Sequence, residues 1–385
     1  MAGLTVALVL AGASGTGAAT LTVVHTFGGA DGWRPLAGLI QGLDGKFYGT
    51  THGGGNNTNC PGGCGTVFQM TSAGSVTTLY SFGPAYLYNG LYPDAWGLVQ
   101  GSDSNFYGTT GSGGVLHSDG TTYNGNVFKL DAFGNYVDLC DFALSAAAPL
   151  LGADGSLYGT TLEGGSGSGN VFRTTIQGGL SNLYSFAGGS EGGEAFSGVV
   201  RGNDGTLYGT TYAVATLGGT DYFGTVYSIS PAGVLTTLWR FTDGTDGAYP
   251  AGGLVLANDG NLYGMTQHGG AGRAGTVYQI TPAGTLTTLH SFSGPDGAIP
   301  GAALIQGNDG NLYGTTIGGG TNGPYGTVFQ ISTSGVFTSL HQFSGTADGA
   351  NPRAPLLQGN DGFYYGTTQA GGTNSQGSVF RLSVP

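Results

Sequence analysis

The sequence predicts an all-β fold, a seven-bladed β-propeller of four-stranded antiparallel blades. Three observations predict it. The segment Asp44–Thr51, reading Asp-Gly-Lys-Phe-Tyr-Gly-Thr-Thr, recurs with its tyrosine at Tyr48, Tyr107, Tyr158, Tyr208, Tyr263, Tyr313 and Tyr365, at spacings of 50 to 59 residues. Each copy carries four short strand-like runs separated by turn residues. Nowhere do apolar residues fall at helical spacing over ten positions, so helix content should be close to zero. A period of about fifty residues with four short strands is a propeller blade. A solenoid coil is shorter and does not need four turns per repeat.

In the sixth copy the runs are Ala303–Gln306, Asn311–Thr316, Gly326–Ile331 and Phe337–Phe343. The first two are joined by Gly307-Asn-Asp-Gly310, whose Asp-Gly pair suits the positive φ of a tight hairpin turn. The seventh copy supplies only three runs, Ala354–Gln358, Phe363–Thr368 and Gly377–Ser383. The missing fourth run matches Leu21–Phe27 at the other end of the chain, which shares the pattern of Leu289–Phe292 and Leu340–Phe343. Residues 21–27 should therefore complete the last blade and remove two exposed sheet edges. The expected organisation is a signal-peptide-like segment at 1–19 and one propeller over 20–385. The leader reading rests on the apolar run Leu4–Ala11 and the small-residue site Gly17-x-Ala19, although no Lys or Arg precedes the run.

Composition narrows the partners. Charged residues are 8 % of the chain, Lys and Arg together number nine, and the net charge is −12. With no basic cluster, nucleic acid and anionic membrane surfaces are poor partners. No further apolar run is long enough to span a bilayer, and a monomer is expected. Cys60 and Cys64, in Asn-Cys-Pro-Gly-Gly-Cys-Gly, read as a loop-clamping disulfide, because a zinc site would need two more ligands nearby. Cys140 reads as a small core residue.

The repeat unit, Asp-Gly-Asn-Leu-Tyr-Gly-Thr-Thr followed by Gly-Gly, Gly-Thr-Val-Phe and Thr-Thr-Leu-His-Ser-Phe, resembles the GloVer tandem repeat of choice-of-anchor bacterial surface proteins. The match runs over residues 20–385. The resemblance implies a propeller that is secreted or displayed on a bacterial cell, with no general activity attached. More distantly the Tyr-Gly strand and Gly-Gly pair are similar to Kelch propellers, an analogy that carries no function.

Aligning the copies on one another removes several candidates. His25, His290 and His341 occupy one slot, held elsewhere by Tyr80, Cys140, Tyr184 and Trp239, on outer strands of separate blades, so they should not form a metal triad. The turn aspartates read as turn formers, and the Tyr-Gly steps as blade-to-blade packing with close backbone approach at Gly. Two loop sets remain, and propeller geometry should place both on one face around the channel. The first links each blade to the next and reads Asp31-Gly-Trp-Arg-Pro35, Asp246-Gly-Ala-Tyr-Pro250, Asp296-Gly-Ala-Ile-Pro300 and Asp348-Gly-Ala-Asn-Pro352, with Asn89-Gly-Leu-Tyr-Pro93 close behind. The frame is constant while the residue before Pro varies: Arg34, Tyr92, Tyr249, Ile299 and Asn351, with Glu194 at the matching place. That variation suits an asymmetric recognition surface and equally suits unconstrained drift. The second set follows Tyr-Gly-Thr-Thr and carries His52, Glu163 and His268, either exposed polar residues or acid/base groups for glycan cleavage.

The leading functional expectation is an extracellular or cell-surface binding module for a glycan, another polymer or a protein. Trp33, Trp96, Tyr92 and Tyr249 would stack on sugar rings, and Arg34, Glu194 and Asn351 would orient hydroxyls. The alternatives are a polysaccharide lyase or glycosidase drawing on Arg34, Arg273, Arg353, His52 and His268, and a structural or adhesive surface protein without a ligand. No cofactor is expected. Calcium is the one ionic alternative, but Asp-x-Asp-x-Asp spacing is missing and single aspartates bind weakly.

Overall fold

A computed structural model of the chain describes residues 18–56, 60, 62–83, 93, 97–111, 125–142, 149–162, 167–212, 214–215 and 221–385. It shows seven four-stranded antiparallel sheets, six of them with strands in sequence order from the inside outward and the seventh taking its outer strand from the start of the chain. In the sixth blade these are Ile305–Gln306, Leu312–Thr316, Thr327–Ile331 and Phe337–Gln342. The fourth blade adds a small hairpin, Val214–Ala215 with Asp221–Tyr222. Among the described residues the sole helical element is the single 3-10 turn Gly189–Glu191. No helix of the described residues is long and apolar enough to cross a membrane.

The Asp-Gly turns do more than reverse the chain. Gly310 takes a φ of 83°, which a side chain would resist. Asp309 accepts the Asn311 N–H through one carboxylate oxygen and the Tyr313 hydroxyl through the other, the latter at 2.8 Å. The same Tyr-to-Asp bond recurs at Tyr48, Tyr107, Tyr158, Tyr263 and Tyr365, pinning the second strand to its own turn. At Asp103 burial alone would raise the carboxyl pKa. Hydrogen bonds from Asn105 and Tyr107, with Lys129 nearby, outweigh it and hold the group down to about 2.

The same tyrosines carry the blade interfaces. The Tyr48 ring packs on Phe106 of the next blade at a centroid distance of 4.2 Å, Tyr313 on Tyr364 at 4.1 Å, and Tyr365 on Phe47 at 4.2 Å. Each fully buried ring of this kind contributes roughly 2–3 kcal/mol. The glycine that follows has a different purpose from the backbone approach expected of it. A Cβ on Gly314 would lie 2.6 Å from Cζ of Phe329, so the glycine admits the third-strand ring of its own blade. This ring position is Phe68, Phe128, Phe172, Phe329 and Phe380 in five blades, and Tyr227 and Tyr278 in the other two. One half-buried carboxylate, Asp138 on the outer strand of blade two, has an oxygen without a hydrogen-bond partner. Burial, followed by the nearby Asp141, pushes its pKa up to about 6 against the bond from Asn126.

The last blade combines Leu357–Gln358, Tyr364–Thr368 and Ser378–Ser383 with Thr20–Thr26 as its outer strand. Pairing runs from Thr20 opposite Ser383 to Thr26 opposite Ser378, with the irregularity at Val23/His25 that every other outer strand repeats. The joint between blades seven and one resembles its sisters in detail. The Asn360 N–H donates to Gln41 Oε1 at 2.8 Å, as Asn258 does to Gln306 and Asn308 to Gln358. The ring is closed.

Candidate functional site

Among the described residues, five crossover loops are held from outside by the outer-strand slot that carries the histidines. His25 Nε2 meets Asp31 at 2.8 Å, His290 meets Asp296 at 2.9 Å and His341 meets Asp348 at 3.2 Å. Tyr184 with Glu191 and Trp239 with Asp246 reproduce the bond using other donors. The histidines therefore stay apart, as the alignment of copies implies, and act as latches on the acidic residue that opens each loop. The next residue, glycine, runs against the Thr-Thr end of the second strand: a Cβ on Gly32 would fall 2.3 Å from Thr51 Oγ1. The following residue pairs with the second loop set, Trp33 with Gly53, Ala248 with His268, Ala298 with Gly318 and Ala350 with Ala370. Both loop sets thus share one face, and backbone hydrogen bonds bind them to each other.

The variable position has an unusual backbone. Arg34, Glu194, Tyr249, Ile299 and Asn351 all have φ between 53° and 59°, the left-handed region that favours glycine. Two backbone hydrogen bonds fix each one. Arg34 N–H donates to Gln376 O of the preceding blade, and its carbonyl accepts from His52 N–H. Tyr249 does the same with Phe223 and Gln267, Ile299 with Ala274 and Ile317, Asn351 with Tyr325 and Gln369, and Glu194 with Ser168 and Tyr212. These residues stitch adjacent blades together while their side chains stay partly exposed on the face.

The candidates divide into separate groups. In blade one, the Arg34 guanidinium sits 5.6 Å from the Trp33 ring centroid, and Trp33 meets His52 edge-on at 5.9 Å. Trp33 Nε1 donates to Gly62 O at 2.7 Å, so the indole also braces the loop closed by the Cys60–Cys64 disulfide. Beside it is an open hollow of about 650 Å³, lined in part by Trp33, Asn56, Cys60 and Gln376. In blade five, Tyr249 and His268 meet edge-on at 5.5 Å and line a smaller hollow of about 250 Å³ with Asp243 and Arg273. Tyr212 extends this aromatic surface, its ring 5.2 Å from Tyr249. Asn351 anchors its amide on Ile317 O at 2.8 Å. Tyr92, Trp96 and Glu163 lie outside the described residues.

Sequence reasoning missed Asp243, and it placed Arg273 only in a general pool of cations. Both have left-handed backbones, with φ of 59° and 55°. The signal was present in the repeat. Asp243 stands where sister loops have Gly29, Gly294 and Gly345, and Arg273 stands where the last blade has Ser375. Among the described residues no group of three or more His, Cys, Asp or Glu side chains is placed to hold a metal ion.

A family model described as the Gloeobacter/Verrucomicrobia repeat matches residues 13–146, 97–258 and 212–385. No curated protein matches the chain. Among solved structures, the WD40 β-propeller domain of Doa1 aligns at TM-score 0.59 and 12 % identity, over 95 % of this chain and 97 % of that one. A protein of unknown function from Dyadobacter fermentans aligns at TM-score 0.52 and 10 % identity, over 95 % and 98 %. A gluconolactonase from Xanthomonas campestris aligns at TM-score 0.44 and 15 % identity, over 68 % and 79 %, too distantly to inform on chemistry. These likenesses show the propeller fold alone.

Proposed function

We propose that this chain, which belongs to the Gloeobacter/Verrucomicrobia repeat family, is an exported binding module, monomeric and secreted or displayed on a bacterial cell. Its loop face recognises a glycan or another extracellular polymer. The observation that carries the reading is the left-handed backbone of Arg34, Glu194, Tyr249, Ile299 and Asn351. Holding a non-glycine residue there costs about 1 kcal/mol or more, most for a bulky or β-branched side chain. Drift under that constraint would settle on glycine or asparagine, and only Asn351 fits. Four side chains are kept against the backbone preference, on a face where they are within reach of a ligand. Tyr249, flanked by Tyr212 and His268, offers the apolar plate with polar surroundings that suits a pyranose ring.

A glycan array probed with the whole chain is expected to return a binder, and Tyr249→Ala should weaken that binder about tenfold or more. An array without a hit, or affinity unchanged in a Tyr249→Ala, Trp33→Ala double variant, contradicts the reading. The lyase or glycosidase alternative draws on Asp243, His268 and Arg273 sharing one hollow. Polymer cleavage by the whole chain that disappears in His268→Ala would favour it.

A further inference from the structure

The chain has nine basic residues, and they divide by face. Lys46 pairs with Asp44, Lys129 with Asp103, and Arg173 and Arg201 both with Asp154, all at the turns between first and second strands, opposite the loop face. Arg240 donates to Ser190 O, and Arg381 lies over the Phe363 ring. The three that remain, Arg34, Arg273 and Arg353, all belong to the two loop sets. Among the described residues none of these three has a carboxylate within 4 Å, although the chain has 21 acidic residues and a net charge of −12. Asp243 lines the hollow of Arg273 without closing an ion pair on it.

Arg34 and Arg353 flank the same joint. Arg34 bonds through its backbone to Gln376 of blade seven, and Arg353 follows Pro352 in the crossover that opens blade seven. The inner strands they lead into touch, since a Cβ on Gly38 would meet Pro355 O at 3.2 Å. Arg353 is exposed by area, yet its guanidinium is partly desolvated by the surrounding loops and pressed by the charge of Arg34, which lowers its pKa. Two like charges held together, with acidic residues plentiful elsewhere, make a site that lacks its counter-charge.

We propose that the loop face takes an anionic polysaccharide, with Arg34 and Arg353 forming one anion subsite at the joint of blades seven and one, and Arg273 with His268 a second in blade five. This rests on the binding-module reading and narrows its ligand to sugars carrying carboxylate or sulfate groups. Arginine presents a planar fork of donors that matches either oxyanion. Trp33, beside Arg34, supplies the apolar contact for the ring bearing the charge.

The test is titration calorimetry of the whole chain with polygalacturonate, dextran sulfate and neutral dextran, at low and at high salt. One or both acidic polymers should bind, more weakly as salt rises, and the preferred one identifies the oxyanion. Arg34→Asn with Arg353→Gln should weaken that binding about tenfold or more. Arg34→Lys with Arg353→Lys should recover part of it, and circular dichroism should show both variants folded. Equal affinity for neutral dextran, or wild-type affinity for the acidic polymers in the Asn/Gln variant, overturns the proposal. If a neutral glycan binds through Tyr249 while neither acidic polymer binds, this inference falls and the binding module stands. If nothing binds, both fall.

Discussion

Deletion of residues 20–27 is expected to abolish cooperative unfolding and leave a chain that aggregates. The segment supplies the whole outer strand of the last blade, paired along Ser378–Ser383 with one irregularity at Val23/His25. It also brings Phe27, fully buried in the cluster joining blades seven and one, together with Val24. Asn374 anchors on the Phe27 carbonyl at 2.9 Å, and Phe27 N–H donates to Gly377 O. Burial of Phe27, Val24 and Leu21 alone accounts for roughly 5 kcal/mol, comparable to the net stability of many whole domains. Removal further exposes an unpaired edge on Ser378–Ser383, the kind of edge that recruits other chains. Urea unfolding followed by circular dichroism, with size-exclusion chromatography, checks both consequences. A soluble monomer with the wild-type midpoint would show that closure contributes little.

The second large effect has the opposite sign. Replacing Tyr227 and Tyr278 by Phe should raise stability by about 1 kcal/mol each. Both hydroxyls are fully buried and make no hydrogen bond, and an orphaned polar group of this sort costs roughly 1–3 kcal/mol. The ring does not need the oxygen, because five sister blades place Phe in the same position over the same glycine. The void left by each hydroxyl is small and takes back part of the gain. Thermal melts of the single and double variants measure it. A fall in melting temperature for either would mean the hydroxyl has a partner or that its volume is essential to the packing.

Much of the fold could be read in the sequence because repetition averages out local ambiguity. One Tyr-Gly-Thr-Thr segment is a weak strand signal, whereas seven at even spacing leave only a radial arrangement, and the half-blades at the two ends point to each other. Less visible were effects that depend on side chains meeting across strands. Alignment put His25, Tyr184 and Trp239 in one slot, but their bond to Asp31, Glu191 and Asp246 depends on where the crossover loop folds back. The glycine after each tyrosine looked like a backbone contact and proved to be the seat of a ring three-dimensionally opposite it. The left-handed φ of Arg34, Tyr249 and Ile299 left no trace in residue type, since none is a residue that usually adopts it. Asp243 was legible in principle, as the exception in a column of glycines.

The claim on which the functional account depends is that the loop face, and not the turn face, is where a ligand sits. Amide hydrogen exchange of the whole chain, with and without the glycan that binds it, locates that contact directly. Protection is expected at residues 31–35, 246–250, 268–275 and 348–353, with the first-to-second-strand turns around Asp44, Asp103, Asp259 and Asp309 unchanged. Protection confined to those turns, or to the outer strands, would contradict it.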